Sequence, residues 1–323
     1  MNPQAAVMTT VAVAPLNKLH RPLLVLTGVM AVLAVVTAAG IFLDPRVLTG
    51  APIWVKPFKF AVSLAVYGLT IAWMLSVLPR RSRVGEAAAV VIVAVAVIEE
   101  AIVVLQAARG TTSHYNQTTP FDAALWRTMG VSIMLLFVSH LIIAVAALRQ
   151  RIKDRQPTAP PTALNRTEDR SIAYGMRLGL GLSLLGMLAA VPMVIPRGDL
   201  AGAHSVGVPD GGPGLPFLGW STTGGDLRIG HFFGLHALQA LPLLAFLLTR
   251  TRLGDGVRAR LLLVAGAAYG VLNVLLTWQA LRGQPLVKPD ALTLSAWAAL
   301  AVATGIAATL VLRTAKRRPA VLG

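Results

Sequence analysis

The chain alternates long apolar runs with short clusters of charge. Apolar runs occupy about 22–43, 53–78, 87–108, 123–148, 172–195, 227–249, 258–281 and 291–312, each of about 20 residues or more, the length an α-helix needs to cross a hydrocarbon core. The pattern predicts an all-α polytopic membrane bundle of eight transmembrane helices. The segments between runs fall into two sets. One set holds Lys18 and Arg21, then Arg80, Arg81 and Arg83, then the run from Arg149 to Arg170, then Arg250, Arg252, Arg258 and Arg260, and finally Arg313, Lys316, Arg317 and Arg318. The other set has fewer basic residues and more Gly, Pro and aromatic residues. The excess of Lys and Arg on cytoplasmic segments orients such chains, so both termini are expected on the cytoplasmic side of a cell membrane.

The polar punctuation repeats. Gln106-Ala107-Ala108-Arg109-Gly110 returns as Gln279-Ala280-Leu281-Arg282-Gly283, and each copy is followed by an Asp, at Asp122 and Asp290. Arg81 to Glu86 matches Arg250 to Asp255. These echoes predict two parallel four-helix repeats, 22–148 and 172–312, with a pseudo-two-fold axis along the membrane normal. The remaining pieces are a cytoplasmic N-terminal segment 1–21, a Pro-containing cytoplasmic linker 149–171 and a cytoplasmic tail 313–323. The second repeat carries a Gly- and Pro-rich loop, 198–226, expected to fold back over the mouth of the bundle as an extracytoplasmic cap.

A formal charge of +16 invites a nucleic-acid reading, but the basic residues lie between apolar runs where topology accounts for them, so no nucleic-acid partner is expected. The absence of cysteine excludes disulfides, thiolate metal sites and a cysteine nucleophile. Partners are the bilayer and a small amphiphilic or anionic ligand, with oligomeric state open.

Candidate chemistry starts from Glu99 and Glu100, adjacent carboxyls in a run of Ala, Val, Ile and Leu, where an unpaired charge costs at least a few kcal/mol. At about 1.5 Å per residue, Tyr67, Glu99, Glu100, Ser132, His236 and Asn273 fall at roughly the same depth, about 12 to 15 Å, and are expected to share a cavity. Glu99, Glu100 and His236 are the expected acid/base or metal-binding groups. Gln106, Asn116, Tyr67 and Asn273 would orient a substrate, and Arg109 and Arg228 would hold its anionic part. His114, His204 and His231 are candidate metal ligands; imidazole suits a divalent ion, whereas haem would need two facing axial imidazoles. The leading expectation is a membrane-embedded enzyme acting on a lipid or small amphiphile. The alternatives are a proton-coupled secondary transporter and a non-catalytic scaffold or assembly subunit.

Overall fold

The computed structural model of the chain describes residues 19–78, 82–150, 163–196 and 202–316. Sequence readings at 1–18, Arg80, Arg81, 151–162, 197–201 and 317–323 lie outside the described residues. The elements in order are α1 (Arg21–Leu43), β1 (Val47–Leu48), β2 (Ala51–Pro52), α2 (Val55–Val77), α3 (Arg83–Ala108), α4 (Pro120–Arg149) and α5 (Ala163–Leu188). They continue with α6 (Val191–Val194), β3 (Ser205–Val206), β4 (Gly225–Asp226), α7 (Leu227–Leu235), α8 (Ala237–Thr249), α9 (Asp255–Leu281) and α10 (Ala291–Lys316). The molecule is mostly helical, with few and short strands.

Among the described residues seven helices are long and apolar enough to cross a membrane, and the bent pair α7–α8 makes an eighth if counted as one span. The chain is thus a multi-pass membrane protein. Two boundaries depart from the sequence pattern. The run at about 227–249 is not one straight helix but breaks by 43° at His236. The His236 carbonyl accepts from both Gln239 N and Ala240 N, a tightened turn, and Pro242 removes the donor that would have reached Leu238. In addition, α5 begins at Ala163, so the helix extends into the stretch read as linker.

Helix order follows chain order. In the first half α1 packs on α2, α2 on α3 and α3 on α4, with α1 also touching α3. In the second, α5 packs on α7 and α8, both pack on α9, and α9 packs on α10, with α5 also touching α9; α4 meets α5 at the seam. Between lipid-facing helices burial gives little drive, so close approach of small residues matters. A Cβ on Gly175 would lie 2.7 Å from the Ala245 Cβ, and one on Gly179 would lie 3.0 Å from the Ala237 carbonyl, so these glycines let α5 approach α8. At Gly186 and Gly234 the backbones of α5 and α7 meet so closely that a Cβ on either would collide with the other. Leu23, Met30, Ile71, Met74, Ile92, Ile143, Met176, Leu180 and Leu238 form a continuous buried cluster from six helices.

One end of the bundle carries the arginines of the helix-connecting turns, the basic face. The other carries the longer connections, the cap face. There the turn between β1 and β2 has positive φ at both Thr49 and Gly50, as a two-residue hairpin requires. Residues 202–226 form β3, β4 and an isolated bridge between Gly214 and Ser221. They lie against the first half: Gly211 meets Thr49, and Lys59 Nζ donates to the carbonyls of Leu218 at 3.1 Å and Phe217 at 3.4 Å.

Candidate functional site

Charges on the cap face must be paired or hydrated, and the structure sorts them cleanly. Arg46 is held by Asp44 at 2.7 Å and donates to the Ala108 carbonyl. Arg109 donates at 2.5 Å to both Asp122 Oδ1 and Gln106 Oε1 and stacks over Phe121. Arg228 is gripped by the fully buried Asp226 at 2.6 Å and donates to the Gly219 carbonyl, which ties down the cap. Arg282 pairs with Asp290 at 2.7 Å over the Trp278 ring. Hydrogen bonds from Arg46 and the Trp54 indole hold Asp44 well below the usual carboxylate range, and those from Arg282 and the Thr293 amide do the same for Asp290.

Expected substrate contacts therefore have partners of their own. Gln106 Nε2 donates to Asp122 while its oxygen accepts from Arg109, so the side chain is saturated. Asn116 is buried; its amide donates to Thr111 and Thr112, and its oxygen accepts from Thr118, which shapes the α3–α4 loop. Asn273 Nδ2 donates to the Gly230 carbonyl at 2.5 Å. Tyr67 OH lies 2.9 Å from His140 Nδ1. Ser132 is buried on α4, and His236 is exposed at the α7–α8 break. No hydrogen bond joins any two of Tyr67, Glu99, Glu100, Ser132, His236 and Asn273 among the described residues. Tyr67 and Asn273 bond instead to His140 and to the Gly230 carbonyl.

What the fold does bring together lies nearer the cap. Lys56, in the first turn of α2, places Nζ 3.1 Å from His114 Nδ1. The His114 ring sits 6.3 Å, centroid to centroid, from His204 on the cap and 5.6 Å from Trp126. Tyr115 wedges between them, 5.0 Å from His204 and 4.9 Å from Trp126, and Phe60 closes the other side of His114 at 5.8 Å. Tyr115 has a φ of 59° and Phe217 of 62°, a backbone region that costs a bulky residue free energy and that clusters at functional sites. His204 Nδ1 lies 2.9 Å from Asp210 Oδ2, and Asp210 also accepts from the amides of His204 and Ser205. Those bonds outweigh burial and hold Asp210 below the usual carboxylate range. Burial lowers the His204 imidazole, with the Asp210 bond opposing. Burial also pushes His114 well below its ordinary value, and the charges of Lys56, His204 and His231 add to this.

A charged Lys56 donates to His114 Nδ1, which places the ring proton on Nε2. His204 Nδ1 faces a carboxylate and His231 Nδ1 faces the Gly186 carbonyl at 2.8 Å, so in the neutral rings both present a bare Nε2. Below this layer, Glu99 lies within reach of the Lys56 charge. Glu99 is 4 % exposed and Glu100 1 %, and Glu99 Oε1 and both Glu100 oxygens have no hydrogen-bond partner among the described residues.

The metal expectation for His114, His204 and His231 meets a different geometry. Among the described residues no three His, Asp or Glu side chains are arranged to hold a metal ion. The lone pair of His114 Nδ1 faces an ammonium, so a cation there would have to displace Lys56.

Sequence reasoning paired neither Lys56 with His114 nor Asp210 with His204. Asp210 stands six residues after His204, a short enough separation for a loop to fold one on the other. The Asp44-x-Arg46 and Asp226-x-Arg228 spacings were the readable sign that these arginines are already spoken for. Compared with protein-family models, with curated proteins and with solved structures, the chain matches none.

Proposed function

We propose that the protein is a membrane-embedded acid–base catalyst acting on a small amphiphile that reaches the space between the cap and the first half of the bundle. The observation that carries this reading is the juxtaposition of an Asp-oriented imidazole, His204 with Asp210, and a Lys-contacted imidazole, His114 with Lys56, near the buried carboxyl of Glu99, whose Oε1 has no hydrogen-bond partner among the described residues. A carboxylate on Nδ1 fixes the His204 ring and stabilises the imidazolium that forms when Nε2 takes a proton. His114 presents an Nε2–H donor, Lys56 supplies positive charge where negative charge develops, and Glu99 exchanges a proton from below. Phe60, Tyr115 and Trp126 flank the His114 ring and lower the local dielectric on that side of the site, which strengthens the interactions there.

This reading is tested by incubating the purified protein in nanodiscs made from the host's own lipid extract and following the extract by untargeted mass spectrometry. Wild type is expected to convert at least one amphiphile, and His204→Gln and Glu99→Gln to slow that conversion by about a hundredfold or more, the usual scale of acid–base contributions. Conversion at the wild-type rate in both variants contradicts it.

A second reading, proton-coupled transport, is favoured by one observation. In the inner part of the bundle, where the sequence is almost wholly apolar, Tyr67, His140 and Ser183 form a hydrogen-bonded chain across the seam, with His140 Nε2 2.8 Å from Ser183 Oγ. Gln239 Nε2 donates to Thr70 Oγ1 nearby on α2. Proton flux in liposomes that depends on both Glu99 and His140 would favour transport over catalysis.

Both readings take the basic face as cytoplasmic, in keeping with the Lys and Arg bias. They also take the halves as parallel repeats. The matching order of helix pairing in α1–α4 and α5–α10 supports this, as do Gly110 at φ 76° and Gly283 at φ 72° after the two Gln-Ala-x-Arg stretches.

A further inference from the structure

Four cap-face arginines, Arg46, Arg109, Arg228 and Arg282, each hold an aspartate, whereas Lys56 and Lys59 at the head of α2 do not. Among the described residues neither Lys56 nor Lys59 forms an ion pair with a carboxylate. Lys56 contacts an imidazole nitrogen, and Lys59 contacts two cap carbonyls. The ammonium groups stand one helical turn apart at the head of α2, which has no acidic residue in its first turn and no side-chain cap. Each lysine carries three donors, so Lys56 with one contact and Lys59 with two keep N–H groups available. Two half-buried cations one turn apart repel each other, and an anion bridging them relieves that repulsion.

We propose that this pair is the anchor for a phosphate-type oxyanion, presented either as the headgroup of an amphiphile or as a free anion. The proposal rests on the amphiphile site described above and names the group that the site grips. Chemistry separates this anion from a carboxylate. A planar carboxylate is best met by the forked guanidinium, and every fork named above is occupied by an aspartate. What remains is point charge from Lys56 and Lys59, whose freely turning ammonium donors suit a tetrahedral oxyanion better than a planar carboxylate. The surroundings suit an amphiphile: Phe58 and Phe217 meet edge to face at 5.9 Å beside Lys59, and Phe60 lies beneath Lys56 at 6.0 Å. An apolar tail leaving this position would pass between helices into lipid, while the cap carbonyls bonded to Lys59 close over the head.

The test uses the full chain in a neutral detergent with three probes, dodecyl phosphate, dodecanol and inorganic phosphate, read as apparent affinity by thermal shift. Wild type is expected to bind dodecyl phosphate more tightly than dodecanol. Lys56→Met should weaken dodecyl phosphate at least roughly tenfold, Lys59→Met should weaken it less because part of its donor capacity serves the cap, and Arg282→Met should leave it unchanged. Inorganic phosphate binding as tightly as dodecyl phosphate keeps the oxyanion site and assigns it to a free anion. Equal binding of dodecyl phosphate and dodecanol overturns the oxyanion proposal alone. A preference for phosphate that survives in both lysine variants overturns it as well, because the anion then sits elsewhere. Binding of none of the three probes overturns the amphiphile reading with it.

Discussion

The α3–α4 and α9–α10 hairpins are closed by the same device and differ in what lies beneath it. In each, the helix ends at an Arg followed by a Gly in the left-handed region, and that Arg reaches an Asp at the start of the next helix while stacking on an aromatic ring. Below the closure α9 places Asn273, whose amide is spent on the Gly230 carbonyl, whereas α3 places Glu99 Oε1 and both Glu100 oxygens, which find no hydrogen-bond partner among the described residues. The contrast teaches how to sort polar residues in a membrane bundle. Saturated groups build the fold, and a costly group left unsaturated at a fixed position is a candidate for chemistry.

The sharpest way to break the comparison is to remove the two closing aspartates. Asp122 is 3 % exposed and accepts from Gln106, Arg109 and Thr119, while the Asp290 side chain is 41 % exposed. Asp122→Ala leaves the buried Gln106 amide without its acceptor and frees the half-exposed Arg109, and is expected to cost about 3 kcal/mol, the upper part of the range for a stranded buried group. Asp290→Ala removes an exposed pair and the acceptor of the Thr293 amide at the head of α10, and is expected to destabilise clearly less. Denaturant or thermal melting in detergent checks the order, and equal losses would show that burial does not distinguish the two closures.

The next effect concerns the layer beneath. Asn273→Ala strands a buried carbonyl and should destabilise by about 1–3 kcal/mol. Glu99→Gln removes no hydrogen bond of the free oxygen and keeps the shape, so stability should change by less than about 1 kcal/mol or rise, although activity falls. A large destabilisation in Glu99→Gln would assign that carboxyl to architecture after all.

The smallest effect is in pH dependence. The His114 and His204 imidazoles are lowered in the folded protein, so they stay neutral where the unfolded chain, at about 6.5, already takes up protons. Their contribution is fully present above about pH 6.5 and is lost as pH falls below it. Asp290 is also lowered, and its contribution is lost only as pH falls below the ordinary carboxylate value of about 4. Stability of His114→Phe should therefore fall less than wild type between about pH 7 and pH 5, while the Asp290 window stays in place. Identical slopes in that interval would contradict the environment assigned to His114.

Much of the fold was legible because membrane spans are written in length and hydropathy alone, and Gly175 and Gly179 were readable as a helix contact from their spacing. The α7–α8 break was half legible: Pro242 marks it, but the bend falls at His236. The site was legible by residue type and not by pairing. Glu99, Glu100, His114 and His204 stand out in any reading of the chain, yet which arginines are free depends on loops returning Asp122 and Asp226 to them. Lys56 looks like an interfacial anchor until the α3–α4 loop brings His114 onto it. Depth counting placed Tyr67, Glu99, His236 and Asn273 at one level, but a shared level does not put residues on facing sides of their helices.

The central claim, that Glu99 is a working proton carrier beneath the Lys56–His114–His204 layer, is tested most directly by infrared difference spectroscopy of the carboxyl stretch on adding dodecyl phosphate to wild type and to Glu99→Gln. A ligand-induced carboxyl band is expected in wild type, missing in Glu99→Gln and retained in Glu100→Gln. The same band in Glu99→Gln, or no carboxyl change in wild type when the ligand is bound, would contradict it.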